Sequence, residues 1–163
     1  TAKPPGLVGA ALVIPRGRLD RALHPKDASP FHEADAAARR AIERAGMAAV
    51  TAIECELGNT VRDVSAENVG YDIESKTPDG HLRFIEVKGR AAGAKTITVT
   101  KNEILTAHNA PDAYILAIVE VAGDARHVTY LRRPFRGELD FAAASVNYEI
   151  KELVRQGECV LER

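Results

Sequence analysis

A change of hydrophobic period near residue 58 does most to limit what this chain can fold into. From about Glu33 to Leu57 there is no proline and alanine is abundant. Ile42, Ala45, Ala49 and Ile53 recur there at three- and four-residue steps, the spacing of one long amphipathic helix. The single glycine inside it, Gly46, is tolerable at roughly 1 kcal/mol relative to alanine. Gly58-Asn59 ends the helix, and from there the apolar residues alternate with polar ones, the period of strands.

Thr60 to Val64, Gly70 to Glu74 and Leu82 to Lys88 read as three meandering strands. Pro78-Asp79-Gly80 supplies the turn that makes the last two an antiparallel hairpin. Gly89 to Gly93 reads as a loop and Thr96 to Thr100 as a fourth strand. Thr100-Lys101-Asn102-Glu103 has capping-box spacing, so a helix follows to about His108, stopped by Asn109-Ala110-Pro111. Ala113 to Val121 is almost wholly apolar, as in a central strand covered on both faces. Gly123-Asp124 turns the chain into a strand over Arg126 to Leu131. A looser strand over Phe141 to Val146 and a helix over Tyr148 to Arg155 complete the reading. The expected fold class is α/β, a mixed central sheet flanked by helices.

Residues 1–31 stand apart. The short apolar run Leu7 to Ile14 lies between Pro4-Pro5 and Pro15 and reads as a strand or an attachment segment; Arg16 to Pro30 reads as a linker or loop. The expected organisation is an N-terminal attachment segment over 1–31 and one domain over 32–163. The start at Thr1 is expected of a piece of a longer chain, or of tag removal. It has neither the apolar stretch of a signal peptide nor a run long enough to span a bilayer.

Charge and composition exclude several functions. Lys plus Arg number 22 against 23 Asp plus Glu, a formal charge of -1. That balance excludes a histone-like basic binder but leaves room for a nucleic-acid enzyme with a local basic rim. Aromatic residues are 5% with no Trp, which argues against an aromatic platform for stacked bases. The two cysteines, Cys55 and Cys159, form no CxxC, excluding a zinc ribbon or disulfide scaffold and pointing to a reducing, cytoplasmic setting. Cys55 is expected buried on the long helix. The five histidines have no metal-ligand spacing.

The chemistry gathers in the middle of the chain. In Phe84-Ile85-Glu86-Val87-Lys88-Gly89, alternation puts Glu86 and Lys88 on one face and Ile85 and Val87 in the core. In Gly70-Tyr71-Asp72-Ile73-Glu74, Asp72 and Glu74 share a face. Hairpin pairing brings Asp72 beside Glu86, with Lys88 one step further. Carboxylates and an ammonium on inner strands must pair or bind a cation. Two hard oxygen ligands suit Mg²⁺ (or Mn²⁺), completed by water and substrate phosphate. A cation there would lower the pKa of a bound water, which Lys88 could orient or deprotonate.

These residues resemble the PD-(D/E)XK nuclease superfamily: a helix, then an acidic residue at a strand end, then a Glu-x-Lys strand. The position before Asp72 is Tyr71, where that motif has proline. The resemblance covers about residues 40–122 and implies a restriction-endonuclease-like core, Mg²⁺ dependence and DNA phosphodiester hydrolysis, in some cases by a homodimer. It also implies a helix acid. Glu43, Met47, Val50 and Glu54 fall on one face of the long helix. Glu43 is favoured and Glu54 is the reserve.

A closer resemblance rests on Asp63-Val64-Ser65, Gly70 to Ser75, Phe84 to Gly89, Thr100 to Glu103, Leu131 to Phe135 and Ser145-Val146-Asn147-Tyr148. Together these are similar to the NO VEIN C-terminal-type domain, found at the C-terminal end of bacterial Swi2/Snf2-like helicases. The resemblance implies an upstream helicase motor in the same polypeptide. The chain itself has no Walker-type phosphate loop.

The expected site is therefore Asp72, Glu86, Lys88 and Glu43, with Asp72 and Glu86 as metal ligands. Lys101, Asn102 and Arg90 are the candidate DNA contacts. Glu74 is expected to be an exposed strand residue, Glu103 a helix cap, and Asp63-Val64-Ser65 a bend. The rival expectation is a noncatalytic DNA- or protein-binding module on the same fold.

Overall fold

A computed structural model describes residues 30–137 and 144–163, with side chains from Ala36 onward. Residues 39–163 form one compact unit. The expected attachment segment lies outside the described residues, except where the first helix begins. That helix, α1, runs Pro30–Glu56. It is followed by β1 (Thr60–Asp63), β2 (Ile73–Lys76), β3 (Leu82–Ala91), β4 (Thr96–Thr100), α2 (Lys101–Asn109), β5 (Tyr114–Ala122), β6 (Ala125–Arg132), β7 (Ser145–Glu149), α3 (Ile150–Gln156) and β8 (Glu158–Glu162). Among the described residues no helix is long and apolar enough to cross a membrane.

The fold is mixed α/β. Six strands form one sheet in the order β1-β2-β3-β5-β6-β8, and β4 pairs with β7 in a separate ribbon. All pairs are antiparallel except β3 with β5, whose connection passes through β4 and α2. The apolar run of β5 is covered on both faces. Ile115, Ala117 and Val119 meet Val50 and Ile53 of α1. Tyr114, Leu116 and Ile118 meet Ile104 and Ala107 of α2, Ile97 and Val99 of β4, and Leu153 of α3. A strand with two covered faces has no polar side to show, hence the missing alternation.

Several expectations change. Gly89 to Ala91 are not loop: β3 continues through them because each pairs with β5 at Val119, Glu120 and Val121. The second strand starts at Ile73, three residues later than expected. Gly70 adopts a φ of +91°, and a Cβ there would lie 2.2 Å from the Thr106 hydroxyl oxygen, so 70–72 press against α2 as a loop. The strand expected over Phe141 to Val146 is Ser145–Glu149, with 138–143 outside the described residues. The last helix is Ile150–Gln156, and β8, which was not expected, follows it. Cys55 is exposed because Glu54 takes the inward position beside it.

Helix α1 crosses β3 where both lack a side chain. The Cβ of an alanine at Gly89 would lie 2.7 Å from the Ile42 carbonyl oxygen, and one at Gly46 would lie 3.4 Å from the Gly89 Cα. Gly46 thus has a packing reason that periodicity alone does not show. Gly89→Ala should cost about 1–3 kcal/mol by pushing two backbones apart, read as a lower midpoint in urea unfolding at unchanged slope.

Candidate active site

The sheet has a notch. Strand β2 pairs with β3 only as far as Ile73 opposite Ile85, whereas β3 continues to Ala91 against β5 on its other side. Along Glu86 to Ala91, β3 has no β2 partner. Asp72 sits at the start of the gap. Its backbone N–H donates to Ile85 O at 3.0 Å and its carbonyl accepts from Val64 N–H at 2.8 Å. Its carboxylate Oδ2 then accepts from Val87 N–H at 2.9 Å, satisfying the donor that the missing strand would have met.

Side chains from five elements close on this notch around an open cleft of about 830 Å³. Arg40, Glu43, Arg44 and Met47 come from α1, Asp63 from the end of β1, and Glu86, Lys88 and Arg90 from β3. Asp72 precedes β2, and Glu103 comes from the first turn of α2. Lys88 Nζ lies 2.6 Å from Glu86 Oε1 and 2.7 Å from Glu103 Oε2. Glu86 is 4% exposed. Its alternation with Ile85, which is buried against α1, puts it on the α2 side of the sheet.

Glu86 and Glu103 flank the ammonium of Lys88, and Asp72 lies close enough to feel its charge. Burial pushes the Glu86 carboxyl up to about 8; Lys88 opposes the shift, while Asp72 and Glu103 add to it. Burial also raises Asp72, against the Val87 N–H and Lys88, which lower it. Burial disfavours the charge on Lys88, but Glu86 and Glu103 outweigh it and hold its pKa above that of an ordinary lysine. Asp63 differs: hydrogen bonds from the Ser65 hydroxyl (2.7 Å) and N–H (3.0 Å) hold its carboxyl below the usual range. The Asp63-Val64-Ser65 bend is thus a side-chain-stabilised turn at the cleft wall.

Of the residues expected in the site, Asp72, Glu86, Lys88, Glu43 and Arg90 all line the cleft. Arg90 is oriented by two carbonyls, its Nη1 donating to Gly89 O at 2.9 Å and its Nε to Thr96 O at 3.4 Å. Lys101 and Asn102 do not line it; the Asn102 amide donates to Asn68 O at 3.2 Å, tying α2 to the preceding loop. Glu54, the reserve helix acid, faces away from the cleft. It is fully buried between α1 and β2–β3, its Oε2 accepting from Asn59 Nδ2 (2.7 Å) and the Ser75 hydroxyl (2.6 Å), with Arg83 Nη1 at 3.4 Å. Glu74 lies outside the cleft, accepting from Arg62 and Tyr71 at 3.4 Å each.

Four charged cleft residues were missed. Glu103 does cap α2, with both capping-box hydrogen bonds present, but the same carboxylate reaches Lys88. Its local role in the sequence hid its tertiary one. Arg40 and Arg44 are exposed on α1, and nothing local says that β3 passes beside them. Asp63 read as a turn residue.

A divalent cation fits these donors in kind. Among the described residues no three His, Cys, Asp or Glu side chains gather as a metal site. The protein would supply the two carboxylates Asp72 and Glu86, with the other positions left to water and substrate, as Mg²⁺ commonly requires. Burial raises both carboxyls, and a cation beside them would favour their charged forms.

Comparison with known proteins adds one finding. A family model described as the C-terminal region of protein NO VEIN matches residues 42–131, from mid-α1 to the last residues of β6. No curated protein and no solved structure matches.

Proposed function

The chain belongs to the NO VEIN C-terminal family, and from that premise we propose that it is a Mg²⁺-dependent nuclease-like module with a restriction-endonuclease-like core that hydrolyses DNA phosphodiester bonds. The carrying observation is that Asp72, Glu86, Lys88 and Glu43 converge on one cleft in which acid outnumbers base. Asp72 and Glu86 would hold the ion. Its chemistry when bound is Lewis-acid neutralisation of the phosphoryl oxygens and activation of water. Lys88 orients the attacking water, Glu43 assists from α1, and Arg40, Arg44 and Arg90 receive the phosphate backbone on the wall. In-line displacement at phosphorus needs chiefly charge neutralisation and alignment, and this set is suited to both. In the helicase setting, a motor elsewhere in the polypeptide would deliver the DNA.

Titration with Mn²⁺ or Mg²⁺ followed by thermal melting tests the metal site. Saturation at a hundred times Kd should add about 2.7 kcal/mol of stability, and the gain should vanish in Glu86→Gln. Labelled DNA incubated with wild type and Lys88→Ala then tests hydrolysis, with a loss on the order of a hundredfold expected for the variant. One observation favours the second reading, a noncatalytic DNA- or protein-binding module: Lys88 is held between two carboxylates. No melting shift at millimolar metal selects that reading.

A further inference from the structure

Lys88 Nζ has two carboxylate partners of nearly equal distance, and they differ in what else they do. Glu86 sits on the same strand two residues away, and in the proposed function its oxygens are committed to a cation. Glu103 lies across the cleft on α2, and its Oε2 accepts from both Lys88 Nζ at 2.7 Å and the Thr100 backbone N–H at 3.1 Å. That second bond belongs to the capping box, completed by Glu103 N–H donating to the Thr100 hydroxyl. The oxygen that receives the ammonium is therefore held by the helix terminus itself. Helix α2 is in turn held to the loop before Asp72, through Asn102 Nδ2 to Asn68 O and the close approach of Gly70 to Thr106. The side chains of Lys88 and Glu103 are each 13% exposed, so water competes little for the pair.

We infer that Glu103 is the positioning residue for Lys88: it, not Glu86, anchors the ammonium at the cleft, and it keeps it there when Glu86 turns to another cation. The mechanistic part of this inference rests on the nuclease reading; the anchoring part does not. A capping residue becomes part of the site, and the order of the α2 N-terminus is coupled to the placement of Lys88.

Glutamine at the third helical position also completes a capping box, so Glu103→Gln removes the charge that holds Lys88 while keeping the cap. Thr100→Ala does the reverse. The readout is the proton–nitrogen cross-peak of a slowly exchanging lysine ammonium, assigned to Lys88 by its loss in Lys88→Met. The peak should persist in Glu86→Gln, in Thr100→Ala and on addition of Mg²⁺. It should be lost in Glu103→Gln, with far-UV circular dichroism unchanged. Loss of the peak in Glu86→Gln, its survival in Glu103→Gln, or its absence from wild type overturns the inference.

The kinetic arm compares Glu103→Gln with wild type on labelled DNA. A tenfold or greater fall in kcat is expected, with KM within twofold and no further fall when the change is made in Lys88→Met. An unchanged kcat in a cleaving wild type also overturns the inference. A wild type that neither binds Mn²⁺ nor cleaves sinks the nuclease reading instead, and the cross-peak result still decides the anchoring role.

Discussion

Divalent-metal affinity should rise about fiftyfold between about pH 6 and pH 8 and level off within about a further twofold above, with proton release on binding falling over the same range. The cause is the Glu86 carboxyl, which burial pushes up to about 8, so that below this pH the ion must displace a proton before it can use that oxygen. Calorimetry in two buffers of different ionisation enthalpy measures both quantities. In the absence of metal the same group makes stability depend on pH with a definite sign. Between the ordinary glutamate value near 4.5 and the folded value near 8, the folded state binds the extra proton, so stability falls as pH rises through that window. The loss is complete above it, reaching at most about 5 kcal/mol at ~1.4 kcal/mol per unit. Lys88, whose pKa is also raised by folding, contributes in the same sense, but only where lysine itself titrates, above this window. Glu86→Gln should flatten the profile and be more stable than wild type at about pH 9. A metal-free stability that rises steadily from pH 5 to 8 through Glu86 would sink the electrostatic description of the cleft.

Glu43 and Glu54 of α1 should behave as opposites. Glu54→Ala leaves the Asn59 amide, the Ser75 hydroxyl and the Arg83 guanidinium without their shared acceptor in a buried setting. The expected cost is about 3–5 kcal/mol, enough to unfold a marginal domain. Glu43→Ala removes an exposed cleft carboxylate and should change stability by less than about 0.5 kcal/mol, while weakening metal binding or cleavage severalfold. Urea unfolding of both variants, alongside metal titration of Glu43→Ala, separates the roles. A destabilised Glu43→Ala, or a Glu54→Ala as stable as wild type, would contradict this division.

That contrast shows how far local pattern carries. Glu43 and Glu54 share a helical face by periodicity, yet lie about 16 Å apart along the axis at 1.5 Å per residue. Strand β3 reaches α1 near Glu43, while the β2–β3 hairpin with Ser75 and Arg83 reaches it near Glu54. No helical-wheel argument holds that information. Tyr114 is a similar case. In sequence it opens an apolar strand; in the fold its buried hydroxyl has no hydrogen-bond partner among the described residues and is pushed well above its ordinary value by burial and by the charges of Glu86, Glu103 and Asp72.

Elements with strong local causes were legible before any long-range contact was known. The long proline-free helix, the turn at Pro78-Asp79-Gly80, the capping box at Thr100 and the doubly buried β5 all follow from backbone preference and periodicity, which act over a few residues. Alternation likewise put Glu86 and Lys88 on one face. Tertiary structure decided what those faces meet: the early end of β2 that opens the notch, the glycine crossing that brings Glu43 to it, the departure of β4 into a ribbon with β7, and the reach of Glu103 across to Lys88. Each depends on contacts between residues far apart in the chain, where steric fit and the pairing of buried charge, rather than local propensity, set the outcome.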